Sequence, residues 1–230
     1  MAVNAGYGQF CPVSMAAEIF CTRWTAVLMR ELLSGSKRFN DLRRGLPRMS
    51  PTLLSLRLKD LQSAGIVAVS MGPGGQNEYH LTEAGRDLKE VVMALGHWGQ
   101  KWVESRLSLR NLDPSLLMWD MRRSLDLGNL PAERCTVQFL YPELAKANQA
   151  WWIVIEDGVA DLCSTDPGRE VDLLVQGSLR AMTAIWMGIT TVAAETALGT
   201  IAVDGDPKLV ASLQRWLGLS PFARTERRVA

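Results

Sequence analysis

A serine followed by a proline, Ser50-Pro51, stands ahead of leucines at 54, 58 and 61, and this signal constrains the fold more than any other in the chain. A serine hydroxyl accepts from the free amides of a helix start, and proline's fixed φ suits the first turn. Leucines at i, i+4 and i+7 fall on one face, so a helix from about Ser50 to Ala64 is predicted with one buried side and Gly65 as its stop. Thr52, Ser55 and Lys59 fall on another face. Residues 37–60 hold seven Lys/Arg against two Asp. Just upstream, Phe39 to Leu46 reads as a short helix closed by Gly45 and Pro47. Two helices joined by a tight turn, the second with a polar N-terminal face, is how a helix-turn-helix presents side chains to the major groove. The expected partner is double-stranded DNA. Thr52 and Ser55 are candidates for base edges, Lys59 for a base or a phosphate, and Ser50 for a cap that also reaches a phosphate. Lys37, Arg38, Arg43, Arg44 and Arg48 are the candidate phosphate clamps. Arg57 lies nearer the apolar face and is expected to make a structural contact.

Helices over Cys11–Phe20 and Trp24–Leu33 are predicted before this pair, and two strand-like runs, Ile66–Met71 and Glu78–Leu81, after it. The Gly/Pro-rich GPGGQN between the runs marks a hairpin, which makes a winged helix. Thr82 then opens a long helix to about Arg106. In it Ala84, Leu88, Val91, Leu95, Trp98 and Trp102 recur at 4-3-4-3-4 spacing, the seam by which two helices pack. A small winged helix offers little surface to bury two tryptophans so far along, so a homodimer is expected.

The near-neutral total charge hides an asymmetry: residues 1–106 carry a net +4 and residues 107–230 a net −3. Only the first half is suited to a polyanion. A boundary is expected near Leu107–Asp113, dividing the chain into 1–107, 108–222 and a tail at 223–230. In the second half Asp113-Pro114-Ser115 starts an amphipathic helix through Leu117, Met118, Met121 and Leu125. Strands follow at Cys135–Tyr141, Trp151–Ile155, Val159–Cys163, Val171–Val175 and Thr200–Val203. Helices are expected at Leu179–Met187, Val192–Ala197 and Pro207–Leu217. The fold class is therefore α+β, the second half being a meander of antiparallel strands covered by helices.

The first half resembles the HxlR-type winged-helix transcriptional regulators of bacteria. The resemblance rests on CPV at Cys11, Arg23-Trp24, the run from Arg38 to Pro47, MSPTLLS with RLKDLQSAGI up to Ile66, and EYHLTEAG at Glu78 to Gly85. It implies a dimeric repressor or activator with a recognition helix at Ser50–Ala64 and a wing at Gly72–Asn77. The wing departs from the pattern, because Met71 to Asn77 has no cation for the minor groove. The second half is similar, through weaker motifs at Val171–Gly188 and Ala197–Gly218, to the type-two sterol-carrier-protein domain. That resemblance implies an apolar cavity for a lipid or other apolar small-molecule effector, with Met118, Trp119, Trp151, Met182 and Trp186 as its candidate lining.

Cys11 precedes a helix, where a thiol can be activated, and is the candidate redox residue. Two alternatives to a ligand-modulated regulator stand beside it. One is a lipid-binding module with a basic assembly domain, the other a thiol-redox regulator working through Cys11. The four cysteines lack zinc-site or CxxC spacing, and two histidines have no nucleophile or metal partner. GxSxG, HExxH and phosphate-loop motifs are absent from the sequence. No metal, cofactor or catalytic role is expected. The N-terminus has no secretory pattern and no run approaches the roughly 20 apolar residues that cross a bilayer, so a cytoplasmic protein with no membrane partner is expected.

Overall fold

The computed structural model describes residues 6–104, 109–130 and 134–229. Contacts divide the chain into two compact units, Met1–Gly96 and His97–Ala230. The expected 107/108 boundary lies outside the described residues.

The first unit begins with α1 (Pro12–Phe20), α2 (Thr25–Leu33), α3 (Phe39–Gly45) and α4 (Pro51–Ser63). Strands β1 (Val67–Met71) and β2 (Asn77–Leu81) pair antiparallel, Val67 opposite Leu81, before α5 (Glu83–Trp102). Its core is Leu28, Met29 and Leu32 of α2, Leu42 of α3, Leu54, Leu58 and Leu61 of α4, and Val67 and Val92. Gly65, at φ +72°, turns the chain out of α4. The Ile66 amide then donates to the Leu61 carbonyl and the Gly65 amide to Gln62, which satisfies the last helical carbonyls. The Thr82 hydroxyl accepts from the Gly85 amide (3.2 Å) and donates to the Gly65 carbonyl (2.7 Å), tying the start of α5 to the end of α4. Sequence periodicity did not anticipate one strand-like contact. Arg38 bridges Glu78, and the Tyr79 amide donates to the Lys37 carbonyl, so the entry to α3 is stitched to β2.

The second unit holds α6 (Pro114–Ser124), β3 (Cys135–Leu140), α7 (Lys146–Gln149), β4 (Ala150–Glu156), β5 (Val159–Cys163) and β6 (Leu173–Gly177). It continues with α8 (Leu179–Trp186), α9 (Val192–Ala197), β7 (Ile201–Gly205) and α10 (Pro207–Trp216). The five strands lie in the order β5-β4-β3-β6-β7. The expected antiparallel meander is corrected here: β3 and β6 run parallel, while the other neighbours are antiparallel. Asp157 and Gly158, both at positive φ, make the tight β4–β5 hairpin. Residues 164–172 instead carry the chain from that edge to the far side of β3, and a crossover of this kind returns a strand parallel. β3 is thus the middle strand, and Cys135, Thr136 and Val137 are all buried. Its apolar Cys135, Val137 and Phe139 alternate with Thr136 and Gln138, so one face of the strand packs into the core, while its middle position in the sheet buries Thr136 as well.

Asp172 anchors the return. Its carboxylate accepts from the Thr136 amide (2.8 Å) and its amide donates to the Thr136 carbonyl. β6 therefore starts at Leu173, two residues later than expected. The core of this unit gathers Met118 and Met121 of α6, Val137 and Phe139 of β3, Tyr141, Ile153 of β4, Ile185 of α8 and Trp216 of α10. The last turns of α5 group with this unit. There the ring of His97 stands edge-on to Phe222 (5.4 Å) and meets the Thr225 hydroxyl (2.7 Å), while Gln100 accepts from Arg227 (3.1 Å). The expected tail is thus packed against α5.

Candidate nucleic-acid interface

Helix α4 is built as its sequence suggests. The Ser50 hydroxyl accepts from the Leu53 amide (3.3 Å), Pro51 occupies the first turn, and Leu54, Leu58 and Leu61 are almost fully buried. That anchoring leaves Thr52, Leu56 and Lys59, at i, i+4 and i+7, in an exposed row, with Ser55 half-buried beside it. Leu56 was not among the expected contacts, yet it is 49% exposed in the middle of this row. The signal was available: an apolar residue out of step with the buried leucines, placed four residues after Thr52. An aliphatic side chain there suits a thymine methyl group.

The expected cations separate by partner. Arg43 and Arg48 are exposed, and among the described residues neither has an ion-pair partner; the same holds for Lys59. Arg43 sits in the last turn of α3 and Arg48 in the turn that leads into α4. Arg44 meets Asp41 of its own helix (3.5 Å), and Arg38 meets Glu78 (3.5 Å) with its side chain still half exposed. Lys37 is exposed and lines a recess between α2, β2 and α5. Arg57 is structural: it bonds Asp60 (2.7 Å) and the carbonyl of Arg23 (3.3 Å).

The wing tip between β1 and β2 is a turn closed by the Gly72 amide on the Gln76 carbonyl (2.8 Å). Beside it a recess of about 510 Å³ is lined by Arg38, Asn40, Asp41, Arg44, Gln76 and Asn77. Amide side chains and two arginines can donate to a sugar–phosphate strand there.

Two apolar faces, one along α5 and one around α1, are exposed. Along α5, Val91, Leu95, Trp98 and Trp102 are each about half exposed, with Trp98 at 59%. Helix α1 has no buried residue at all, and Phe10, Val13 and Met15 around it face solvent. Cys11 is the N-cap of α1, and all four cysteines are free thiols. The Ser14 and Val13 backbone amides at the helix start hold the Cys11 thiol below its ordinary range, against an opposing effect of burial. Cys135, by contrast, is buried in β3 and pushed up to about 11, chiefly by that burial and also by the Asp172 charge.

Of the residues expected to line an apolar cavity, Met118, Trp151 and Met182 come together in the second unit's core, and Trp186 packs against it. Met118 Sδ accepts from the Tyr141 hydroxyl (3.2 Å). Trp119 stands apart from that cluster, buried under the guanidinium of Arg122 at 4.2 Å from the ring centre.

A capped second helix anchored by leucines, preceded by a short helix and followed by a two-stranded wing, defines a winged helix-turn-helix of the transcription-regulator class. The profile of the HxlR-like helix-turn-helix family matches residues 19–107. The HTH-type transcriptional regulator YvaP of Bacillus subtilis (strain 168) is 33% identical over 99 residues, which is 42% of this chain and 92% of that protein. YdeP of the same organism is 34% identical over 94 residues, 40% of this chain and 73% of the relative. The solved structure of the redox regulator HypR in its reduced form is 34% identical, covers 39% of this chain and 91% of that one, and superposes with a TM-score of 0.36. The chain belongs to the HxlR-like helix-turn-helix family and is a transcription regulator of that type. No described helix is long and apolar enough to cross a membrane.

Proposed function

We propose that this regulator binds an inverted-repeat operator as a homodimer, each protomer laying α4 in the major groove. The observation that carries the reading is the exposed row Thr52, Leu56 and Lys59 on a helix whose opposite face is locked into the core. Arg43 and Arg48, exposed and without ion-pair partners among the described residues, flank the N-terminus of that helix and supply phosphate attraction. The half-exposed seam of α5 supports the dimer. A stripe containing Val91, Leu95, Trp98 and Trp102 is far more apolar than a solvated helix face and has the spacing of a helix–helix contact. A nine-residue helix such as α1 is marginal alone, so its apolar side chains point the same way: a second copy completes them. Two heads about 34 Å apart would meet successive major grooves. Anisotropy titration of promoter and random duplexes at several salt concentrations tests the reading. Equal affinity for both at every salt concentration would defeat it.

A second reading is favoured by one observation, the place of the free, partly exposed Cys11 thiol at the N-cap of α1, where the backbone amides favour its thiolate. Oxidation there would act on α1 and hence on the proposed dimer. Cys21 stands at the other end of α1, roughly 15 Å away along the helix axis, so the two thiols of one chain cannot join without unwinding it. The pairing thiol would come from a partner copy or a small molecule. Modulation by an apolar molecule in the second unit belongs to the same proposal, supported by the Met118, Trp151 and Met182 cluster. Native mass spectrometry of the purified chain tests it directly.

A further inference from the structure

The recess that Lys37 lines is unlike the surface around α4. It has a volume of about 470 Å³, within the range of small-molecule sites. Leu32 and Leu33 at the end of α2, with Tyr79 and Leu81 of β2, form its apolar part. Lys37, His80, Arg86 and Lys89 form the polar part, and no carboxylate lines it among the described residues. Arg86 donates to the Leu81 carbonyl (2.9 Å), and His80 meets the Ser70 hydroxyl (2.9 Å) with the Glu78 carboxylate 3.6 Å from the same ring nitrogen, so both are fixed in place and the unpaired positive charge of the recess rests on the lysines. Lys37 and Lys89 are exposed and, among the described residues, have no ion-pair partner.

We propose that this recess is an effector site for an amphiphilic carboxylate, its apolar body on Leu32, Leu33, Tyr79 and Leu81 and its charge between Lys37 and Lys89. A bare phosphate of DNA would gain nothing from four apolar side chains, whereas a ring or branched chain attached to a carboxylate uses both halves of the lining. The walls also say what occupancy does. Lys37 directly precedes α3 and is held to β2 through its carbonyl, while Arg86 and Lys89 belong to the first two turns of α5. A bound anion therefore ties the entry of the helix-turn-helix to the helix that bears the apolar seam. This consequence rests on the operator-binding reading above; the site itself does not.

Isothermal titration of the full chain with 2-naphthoate and its uncharged amide, 2-naphthamide, tests the proposal without DNA, so a failure of the operator reading leaves its outcome untouched. The anion binds one per chain, and the amide binds about tenfold or more weaker. The Lys37→Ala/Lys89→Ala double variant loses about tenfold in affinity for 2-naphthoate, because two charge-assisted contacts go. Lys101→Ala, which removes a cation from the last turn of α5, binds as the parent does. Both lysines of the double variant are exposed, and an unchanged thermal unfolding curve certifies its fold. Equal affinity for acid and amide, or a double variant that binds 2-naphthoate as the parent does, overturns the site.

Discussion

The carboxylate of Glu31 in α2 lies against the α-carbon of Gly45 in α3, so close that a methyl group built on that glycine would stand 1.9 Å from Oε2. Glu31 is fully buried, its charge is met by Arg30, whose guanidinium also donates to the Gly45 carbonyl (3.2 Å), and the Ser36 hydroxyl meets its other oxygen (3.4 Å). A carboxylate held on several sides cannot step aside. Gly45→Ala is therefore expected to destabilise the first unit by about 2 kcal/mol. It should also shift α3, and with it Arg43 and Arg44, weakening DNA binding. Chemical denaturation followed by far-ultraviolet circular dichroism measures the first effect; an unchanged midpoint would show that the Glu31 side chain relaxes freely.

Arg43 and the α4 row should behave oppositely on DNA. Arg43→Ala should weaken operator and random duplex alike and reduce the slope of log affinity against log salt by about one. A loss confined to the operator would place Arg43 on a base instead.

Leu56→Ala should do the reverse. The exposed side chain contributes little to folding, so the thermal midpoint stays put. Operator affinity falls by about 1–2 kcal/mol while random-sequence affinity holds, because an apolar contact to a thymine methyl is lost and no charge is. Equal losses on both duplexes would remove Leu56 from the base-reading surface.

Trp98→Glu places a charge in the middle of the α5 seam, where Trp98 is 59% exposed and makes little contribution to its own chain's core. Light scattering should find this variant monomeric at concentrations where the parent is a dimer, with its fold intact. A parent that is itself monomeric would exclude the seam as a dimer contact.

The cysteines should separate by pH. A thiol held below its ordinary range by helix-start amides is thiolate at a lower pH, so the alkylation rate of Cys11 reaches half its maximum below the pH 8–9 usual for a free thiol. Cys135, pushed up to about 11 and buried, should remain unmodified throughout that range in the folded protein. Peptide mass mapping after timed iodoacetamide treatment reads both. Equal rates at Cys11 and in an unfolded control would leave the helix start without influence on the thiol.

The elements legible beforehand were those written in local chemistry. Ser50-Pro51 and the three leucines placed α4 within a residue of its observed bounds, and GPGGQN placed the wing. What escaped was set by distant partners. Thr136 and Asp172 are far apart in sequence, and only their pairing tells that β6 runs beside β3 in the same direction. The expected strand began at Val171 because apolar residues start there, but Asp172 is spent on the Thr136 backbone and the ladder begins after it. In the site, the sequence offers Lys37, Arg38, Arg43, Arg44 and Arg48 alike as phosphate clamps. The acids that occupy some of them, Glu78 for Arg38 and Asp41 for Arg44, come from a different strand and from the preceding turn of the same helix. Leu56 is not legible for a related reason: only the packing shows that Leu54, Leu58 and Leu61 fill the core and leave this leucine outside.

Between Met71 and Asn77 the chain offers glycine, proline and amides but no positive charge. A narrowed, A·T-rich minor groove attracts inserted arginine through its deepened negative potential, and a hairpin with none to insert has no reward to collect from it. On the proposed docking, the base pairs flanking each half-site are therefore free to drift. The recognisable signature in a genome would shrink to the few positions under α4, repeated with two-fold symmetry.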